Sequence, residues 1–273
     1  MKIKRLGFIS KKTEHAGRVA KEAIAFLEKE NEKKGFELLF DAPTAKYLNL
    51  KESFEEKEFA KKVDAILIVG GDGTFLHSEM VYPGIPKLEI NTGTVGFLAN
   101  LDEHGYFDGL KLLIDGKFKI EERMKLTVDY DGKTAQALNE VAVHAKNVSR
   151  LVTLKVSSDV FKDTFAANGA IFSTPTGSTA YSLSAGGPIV FPTIESITLT
   201  PICPMSATNH PVVFPANHSF HIESLDREIM ISVDGQIDED VKSLEIYKSK
   251  LSGKFIRIYE ENIWEKAKKK SSI

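Results

Sequence analysis

Short apolar runs alternate with helical patterns over the first 120 residues of the chain. The predicted elements are, in order, a strand at Leu6–Ile9, a helix at Thr13–Glu32, a strand at Phe36–Phe40, a helix at Phe54–Lys62 and a strand at Ala65–Val69. The last of these is a continuous apolar run, which is typical of a strand buried on both faces. Alternation of strands and helices predicts a parallel sheet with right-handed crossovers, and hence an α/β domain.

The pattern changes near residue 123. From Met124 to Tyr130 apolar and polar residues alternate, and the Asp131-Gly132 pair that follows predicts a hairpin. Further alternating segments lie at 152–156, 220–222, 229–233, 244–246 and 256–258. Helical periodicity is nearly absent from this half. We therefore expect an α/β domain over residues 1–122 and a β-rich domain over residues 123–254.

Composition narrows the classes of partner. The 36 Lys and Arg residues nearly balance the 38 Asp and Glu residues, so charge gives no reason to expect a nucleic-acid partner. A lone cysteine, Cys203, excludes a disulfide framework and mildly favours a reducing compartment, for which we expect the cytoplasm. No apolar run is long enough to span a membrane. We interpret the lysine-rich tail, Trp264–Ile273, as solvated, and an anion-binding tail is the alternative.

A glycine-rich turn, Gly70-Gly71-Asp72-Gly73-Thr74, follows the buried strand and precedes a helix predicted at Phe75–Tyr82. Glycine lets the backbone approach an anion, and a helix start supplies free N–H donors, so the turn suits phosphate. Neither the dinucleotide fingerprint nor a P-loop is present. Asp72 would repel phosphate unless it handles a proton or a cation, which favours a catalytic role. The alternative is a tight turn with an N-capping aspartate.

A second glycine-rich segment, Asn91–Phe97, follows the next predicted strand, Lys87–Ile90. Two such turns at the carboxyl ends of neighbouring parallel strands would form a crevice, where ligands commonly bind in open α/β folds. The alternative is an ordinary loop that contains two glycines.

The β-rich half contains a hydroxyl-rich segment, Thr174–Ser184, which is followed by Gly186-Gly187. Its hydroxyl groups could bond a polar ligand, and Tyr181 could stack on a flat ring. A surface turn with a helix cap is the alternative. The polar pair Asn139-Glu140 interrupts an apolar segment and, taken alone, favours an exposed strand end. Asp234-Gly235-Gln236, taken alone, indicates only a turn.

Together, and in this order, these motifs resemble those of the NAD kinase family over roughly residues 6–259. The hydroxyl-rich segment is the most specific of them, because lipid kinases and phosphofructokinases carry turns similar to the first motif. The resemblance implies a Rossmann-like N-terminal α/β domain, a β-rich C-terminal domain, and residues 255–273 packing back on the first. It also implies transfer of a phosphoryl group from ATP, or from polyphosphate, to the 2′-hydroxyl of the adenosine ribose of NAD, which gives NADP.

The resemblance further implies a role for each matching residue. Asp72 would be the catalytic base, and Gly71, Gly73 and Thr74 would hold phosphates. The contacts to NAD would come from His77, Asn139, Glu140, Arg150, Asn168, Thr179, Ala180, Tyr181, Ser184 and Gln236. Asn168 stands where many members have aspartate. Mg²⁺ would accompany the phosphates without a metal site of the protein's own, and the chain would form a homodimer or homotetramer.

Two alternative functions stay open. A lipid kinase of the diacylglycerol or sphingosine kinase type would share the glycine turn, but the Thr174–Ser184 segment disfavours it. A non-catalytic NAD(P)-binding sensor would share the binding motifs, but the intact Asp72 disfavours it.

Overall fold

The computed structural model describes residues 2–147, 149–260 and 262–271. The chain divides into two compact units: unit 1 comprises Met1–Glu122 with Gly253–Ile273, and unit 2 comprises Arg123–Ser252. The helices are α1 (Glu14–Lys34), α2 (Ala42–Leu48), α3 (Glu56–Lys62), α4 (Asp72–Val81), α5 (Tyr106–Ile114), α6 (Tyr181–Ser184) and α7 (Ile263–Ser271), with a 3₁₀ turn at Gly177–Thr179. None of the described helices is both long and apolar enough to cross a membrane.

The strands supply the frame of both units. In chain order they are β1 (Arg5–Ser10), β2 (Glu37–Phe40), β3 (Ala65–Gly70), β4 (Lys87–Asn91), β5 (Leu101–Asp102), β6 (Lys119–Arg123), β7 (Leu126–Tyr130), β8 (Lys133–Ala137), β9 (Glu140–Ala145), β10 (Val152–Ser157), β11 (Lys162–Ala167), β12 (Gly169–Ser173), β13 (Ser196–Ile202), β14 (Val212–Pro215), β15 (Phe220–Ser224), β16 (Ile229–Val233), β17 (Ile237–Val241), β18 (Ser243–Lys248) and β19 (Gly253–Arg257).

Unit 1 is an α/β domain, as predicted. Its sheet has the order β2-β1-β3-β4-β19-β6, with β5 beside β4, and β1 to β4 pair in parallel. Successive side chains of a strand point to opposite faces. On one face, Leu67 and Ile90 pack into a core with residues of α1 and α5. The other face is covered by α3 and α4: Phe59 fills the space beside Gly7, and Lys87 pairs with Glu79 at 2.7 Å.

Unit 2 is β-rich, which confirms the predicted fold class. It consists of two antiparallel sheets, ordered β11-β10-β15-β18-β7-β8 and β14-β13-β12-β9-β16-β17. Alternate apolar residues of both sheets, such as Leu154 and Phe172, form one core. The predicted hairpin joins β7 to β8, and Asp131 and Gly132 both have the positive φ that a two-residue primed turn requires.

Several elements depart from the sequence-based expectations. Helix α4 begins at Asp72 rather than at Phe75, and α2, α5 and α7 were not predicted. Ile256 belongs to β19, in the sheet of unit 1, although its alternating pattern placed it with the β-rich half.

Candidate active site

The first glycine-rich turn connects β3 to α4. A Cβ on Gly70 would lie 2.5 Å from the Thr74 hydroxyl, so this close turn requires glycine there. Among the described residues no side chain caps the start of α4, so N–H donors there remain for a ligand. A Cβ on Gly73 would meet no atom within 4 Å, which leaves room for an anion to approach. The Thr74 N–H, in contrast, already donates to Gly71 O at 2.7 Å.

The Asp72 carboxylate lies against the second glycine-rich loop. It accepts the Phe97 N–H at 3.1 Å and the Leu98 N–H at 2.9 Å. Asp72 is the first residue of α4 rather than its N-cap, so the N-capping alternative is wrong. The two loops are also joined by Thr92, whose N–H and hydroxyl donate to Gly70 O at 2.6 and 3.0 Å. The structure thus brings together the two motifs that the sequence places after neighbouring strands.

The shape of the second loop depends on Gly96. Its φ is +65°, and a Cβ there would lie 2.5 Å from Asn91 Cγ. Asn91 in turn accepts the Gly93 N–H at 3.0 Å and donates to Gly93 O at 3.1 Å. A side chain at position 96 would therefore displace Asn91 and strain the backbone.

Two cations hold the same loop through its carbonyl groups. Arg257 Nη1 donates to Leu98 O at 3.1 Å, and its Nε donates to Glu121 at 2.6 Å. Lys266 Nζ donates to Ala99 O at 2.7 Å and to Phe97 O at 3.4 Å. The interpretation of the lysine-rich tail as solvated is thus wrong for Lys266. The segment Phe97–Ala99 is fixed on both sides, by Asp72 at its N–H groups and by cations at its carbonyls.

An open cavity of about 430 Å³ lies beside this loop within unit 1. Its lining includes Asn91, Gly93, Gly96, Asn100 and Lys266. Its size falls in the range of small-molecule sites.

In unit 2, Asp234 anchors the Asn139-Glu140 pair. Its carboxylate accepts the N–H groups of Leu138, Asn139 and Glu140 at 2.6, 2.8 and 3.0 Å. Burial raises the pKa of Asp234 to about 6, against the lowering effect of these three hydrogen bonds. Asn139 and Glu140 are only 7% and 9% exposed, so an exposed strand end is the wrong interpretation, and Asp234 does more than form a turn.

Sequence reasoning missed Asp234 as a residue of this site. The local signal in the sequence is the Asp-Gly pair at the end of a buried strand, which is typical of a tight turn. Asp234 indeed adopts a positive φ of 51° there. Asn139 Oδ1 is buried and has no hydrogen-bond partner among the described residues. Such an atom is commonly satisfied by a ligand or an ordered water.

The hydroxyl-rich segment turns most of its hydroxyl groups inward. Thr174 donates to Leu138 O at 2.6 Å, and Thr179 donates to Thr176 O at 3.4 Å. Ser178 and Ser182 are likewise bonded within unit 2. These internal hydrogen bonds fix the shape of the loop, and the ligand role expected of the hydroxyl groups stays a prediction.

Close backbone packing joins this segment to the Asn139-Glu140 pair. The Thr174 N–H donates to Asn139 O at 2.8 Å. A Cβ on Gly177 would lie 2.1 Å from the same carbonyl oxygen. The structure therefore assembles Asn139, Glu140, Asp234 and the hydroxyl-rich segment into one cluster of unit 2.

Tyr181 offers the flat surface of this cluster. It is 39% exposed and stacks on His144, with ring centroids 5.9 Å apart and planes inclined by 21°. Burial lowers the pKa of His144, which favours the uncharged form of the supporting ring. Ser184 is exposed and Ala180 half-buried beside it.

The remaining predicted residues are Arg150, Asn168 and Gln236 in unit 2 and His77 in unit 1. Asn168 Nδ2 donates to Arg150 O at 3.5 Å, and Arg150 lines a shallow cavity of about 400 Å³ with Lys146 and Arg227. Gln236 is half-buried in the turn between β16 and β17. In unit 1, His77 is exposed on α4 and interacts through space with the Asp41 carboxylate.

Comparison with known proteins agrees with the motifs. The family model described as ATP-NAD kinase N-terminal domain matches residues 7–118, and that of the ATP-NAD kinase C-terminal domain matches residues 138–258. The NAD kinase of Thermococcus kodakarensis is 36% identical over 240 residues, which cover 83% of this chain and 85% of the relative. The NAD kinase of Pyrococcus furiosus is 37% identical over 239 residues, which cover 83% of this chain and 85% of the relative.

Solved structures show the same fold. Yeast NADH kinase complexed with NADH has a TM-score of 0.86 at 24% identity, covering 98% of this chain and 86% of the yeast chain. An NAD kinase from Archaeoglobus fulgidus in complex with ATP has a TM-score of 0.78 at 25% identity, covering 97% of this chain and 99% of the Archaeoglobus chain. The resemblance inferred from the motifs is confirmed: the chain belongs to the NAD kinase family.

Proposed function

We propose that this chain is an NAD kinase, which transfers the terminal phosphoryl group of ATP to the 2′-hydroxyl of the adenosine ribose of NAD and forms NADP. The observation that carries the proposal is the placement of Asp72, a carboxylate fixed by two backbone N–H groups at an uncapped helix start. Membership of the family and the names of its relatives support NAD as acceptor and ATP as donor. Inorganic polyphosphate is a second donor of the same chemistry.

In the proposed reaction Asp72 accepts the proton of the 2′-hydroxyl as its oxygen bonds to the γ-phosphorus, and ADP leaves with the electrons of the broken bond. A carboxylate is a weak base, so the proton moves late, once the hydroxyl has become acidic through bonding to phosphorus. General-base assistance of this kind contributes roughly 10² to 10⁴ in rate. Positioning and charge stabilisation supply the rest.

The start of α4 is the proposed phosphate site. Gly71 and Gly73 let the phosphates approach the backbone, and Thr74 closes the first turn of the helix. Mg²⁺ belongs to the substrate here, because it is usually held by phosphates and by few protein carboxylates. Bound there, Mg²⁺ would neutralise phosphate charge.

In unit 2 the proposed contacts to NAD come from the cluster anchored by Asp234. Asn139 offers a buried oxygen that has no partner among the residues described, and Glu140 lies beside it at the start of β9. Tyr181 offers a ring face to the adenine, with Ala180 and Ser184 next to it. Thr179 shapes the loop through its internal hydrogen bond. His77, Arg150, Asn168 and Gln236 complete the proposed set of contacts.

The proposal also includes self-association as a dimer or tetramer and a cytoplasmic location. Self-association is supported by β14, an edge strand whose Val212 and Val213 are exposed. The location is supported by Cys203, an exposed free thiol of the kind that persists in a reducing compartment.

The test is an assay of NADP formation with ATP, Mg²⁺ and NAD. We expect Asp72→Asn to lower kcat by about a hundredfold or more, while KM for NAD changes several-fold at most. Asp108→Asn, an exposed aspartate on α5, is the matched control and should leave kcat unchanged. An Asp72→Asn enzyme as fast as the parent would contradict the base assignment. NAD binding without turnover would favour the sensor, and lipid phosphorylation without NADP would favour the lipid kinase.

A further inference from the structure

Glu89 is a buried acid that the proposed reaction does not use. It lies in β4, two residues after Lys87, so both side chains share the sheet face that α4 covers. Phe255 of β19 pairs with Lys87, and continuing this parallel register by two residues places Arg257 beside Glu89. The side chain is therefore enclosed between the sheet and the helix that begins with Asp72.

The carboxyl group of Glu89 has no hydrogen-bond partner in the part of the chain that the structure describes. The residue is 1% exposed, and neither Oε1 nor Oε2 contacts a donor among the described residues. A buried carboxylate without a partner is far more costly than a neutral acid in the same place. Glu79 shows the contrast, because it is equally buried but bonds to the Lys87 ammonium.

Charged groups face Glu89 from three of the elements packed around it. Asp72 approaches from α4, Arg257 from β19 and Lys266 from α7. Lys87, on the same strand, directs its ammonium to Glu79, Tyr82 O and Ile85 O.

Neither nearby cation is bonded to Glu89. Arg257 donates to Glu121 and to Leu98 O, and Lys266 donates to Phe97 O and Ala99 O. Both therefore act on the loop that also donates two N–H groups to Asp72. Burial, and then the Asp72 charge, raise the pKa of Glu89 well above its ordinary value, against the opposing effects of the two cations.

We propose that Glu89 is a positioning residue for Asp72 and that it acts as a neutral acid, which leaves Arg257 and Lys266 bonded to the carbonyl groups of Phe97–Ala99. That segment in turn holds the Asp72 carboxylate. The role in turnover rests on the proposed function, whereas the role in ordering the loop does not.

Ionisation of Glu89 would act on this arrangement in two ways. A second anion would repel the Asp72 carboxylate, and it would draw Arg257 and Lys266 away from the loop carbonyls. Both changes weaken the hydrogen bonds that the Phe97 and Leu98 N–H groups donate to Asp72. Loss of the proton should therefore loosen the loop and slow the reaction together.

The test compares the parent with Glu89→Gln, a neutral side chain of the same shape, and with Glu58→Gln, an exposed control on α3. Hydrogen exchange at the Phe97 and Leu98 amides is measured over a series of pH values from neutral to alkaline and corrected for intrinsic exchange. In the parent and the control, we expect protection to fall about tenfold as Glu89 ionises, which corresponds to weakening one charge-assisted hydrogen bond. In Glu89→Gln, protection should stay constant.

The kinetic arm uses the ratio of kcat at the alkaline and neutral ends within each protein. The ratio should fall about tenfold in the parent and the control but not in Glu89→Gln, while KM for NAD should show no such dependence. Infrared spectroscopy provides a direct readout: the band of a buried protonated carboxyl should be present in the parent at neutral pH and absent from Glu89→Gln.

Thermal unfolding separates this role from a purely structural one. An acid whose folded pKa is raised keeps its proton in the native state after the unfolded state has lost it, so stability falls as pH rises through that window. The Tm advantage of Glu89→Gln over the parent should thus grow with pH. The proposal would be overturned if the Tm of Glu89→Gln rose in this way while amide exchange and kcat of the parent did not change with pH. Glu89 would then merely destabilise the fold.

The remaining outcomes are also decisive. Loss of protection at Phe97 and Leu98 in Glu89→Gln at neutral pH would overturn the proposal, because a neutral mimic should hold the loop. A parent that forms no NADP would refute the proposed function alone, since exchange, infrared and unfolding would still test Glu89.

Discussion

Asp72 and Asp234 lie in different units, but both carboxylates fix a distant segment of backbone. Each holds a segment distant in sequence by accepting backbone N–H groups, two at Asp72 and three at Asp234. Their surroundings differ. Asp72 lies at an uncapped helix start beside open glycines, whereas Asp234 serves a cluster closed by internal hydrogen bonds. In the proposed reaction one carboxylate both organises a site and reacts there, whereas the other only organises.

A pair of glycine substitutions should test most directly whether the site of Asp72 is open and the cluster of Asp234 is closed. Gly177→Ala places a Cβ 2.1 Å from Asn139 O, so the free energy of unfolding should fall by about 3 kcal/mol or more. Gly73→Ala meets no atom within 4 Å and should leave stability nearly unchanged, while KM for ATP rises because phosphates can no longer reach the backbone. Chemical denaturation and steady-state kinetics measure both effects. An unchanged KM for ATP in Gly73→Ala would contradict the phosphate site.

Asp234→Asn should weaken NAD binding more than it slows chemistry. Its amide nitrogen would face the Leu138 or Glu140 N–H donors, and losing a charged acceptor there costs about 2 kcal/mol, or roughly a 30-fold rise in KM for NAD. Asp226→Asn is the matched control, because Asp226 also accepts a backbone N–H, from Thr153, but at an exposed position. If kcat fell as far as in Asp72→Asn while KM stayed constant, the division of roles would be wrong.

The smallest effect is expected at Tyr181. Removing its ring in Tyr181→Ala should cost about 1 kcal/mol of NAD affinity, roughly fivefold in Kd, whereas Tyr181→Phe should change it little, since stacking needs only the ring. Phe191→Ala, another exposed aromatic of unit 2, is the control. Calorimetry measures all three, and equal affinities for Tyr181→Ala and the parent would remove Tyr181 from the binding site.

Local sequence patterns predict the elements in which buried apolar residues are continuous or recur at regular spacing. The run Ala65–Val69 has that property, and β3 extends it by one residue. Helix α5 has a local signal too, because Tyr106, Leu110 and Leu113 recur at helical spacing and are buried. Helix α2 offers little, since it has seven residues and a proline in its first turn. The neighbour of β19 in the sheet is far away in sequence, so no local pattern can reveal it.

The candidate site divides in the same way. Asp72 could be found because a carboxylate among glycines, directly after a buried strand, is chemically conspicuous. Asp234 could not, because its partners lie at Leu138–Glu140 and only the folded sheet brings them together. Glu89 could not be found either, because an acidic residue within a strand predicts a side chain that faces solvent. Only the packing of α4 and β19 shows that this side chain is enclosed.

The position of β19 between β4 and β6 has a consequence for biogenesis. While the ribosome is still translating unit 2, the sheet of unit 1 lacks the strand that separates β4 from β6. Unit 2 is one continuous stretch, so its core can close first. The nascent chain must then keep the exposed edge of β4 from pairing wrongly until Gly253–Arg257 emerges.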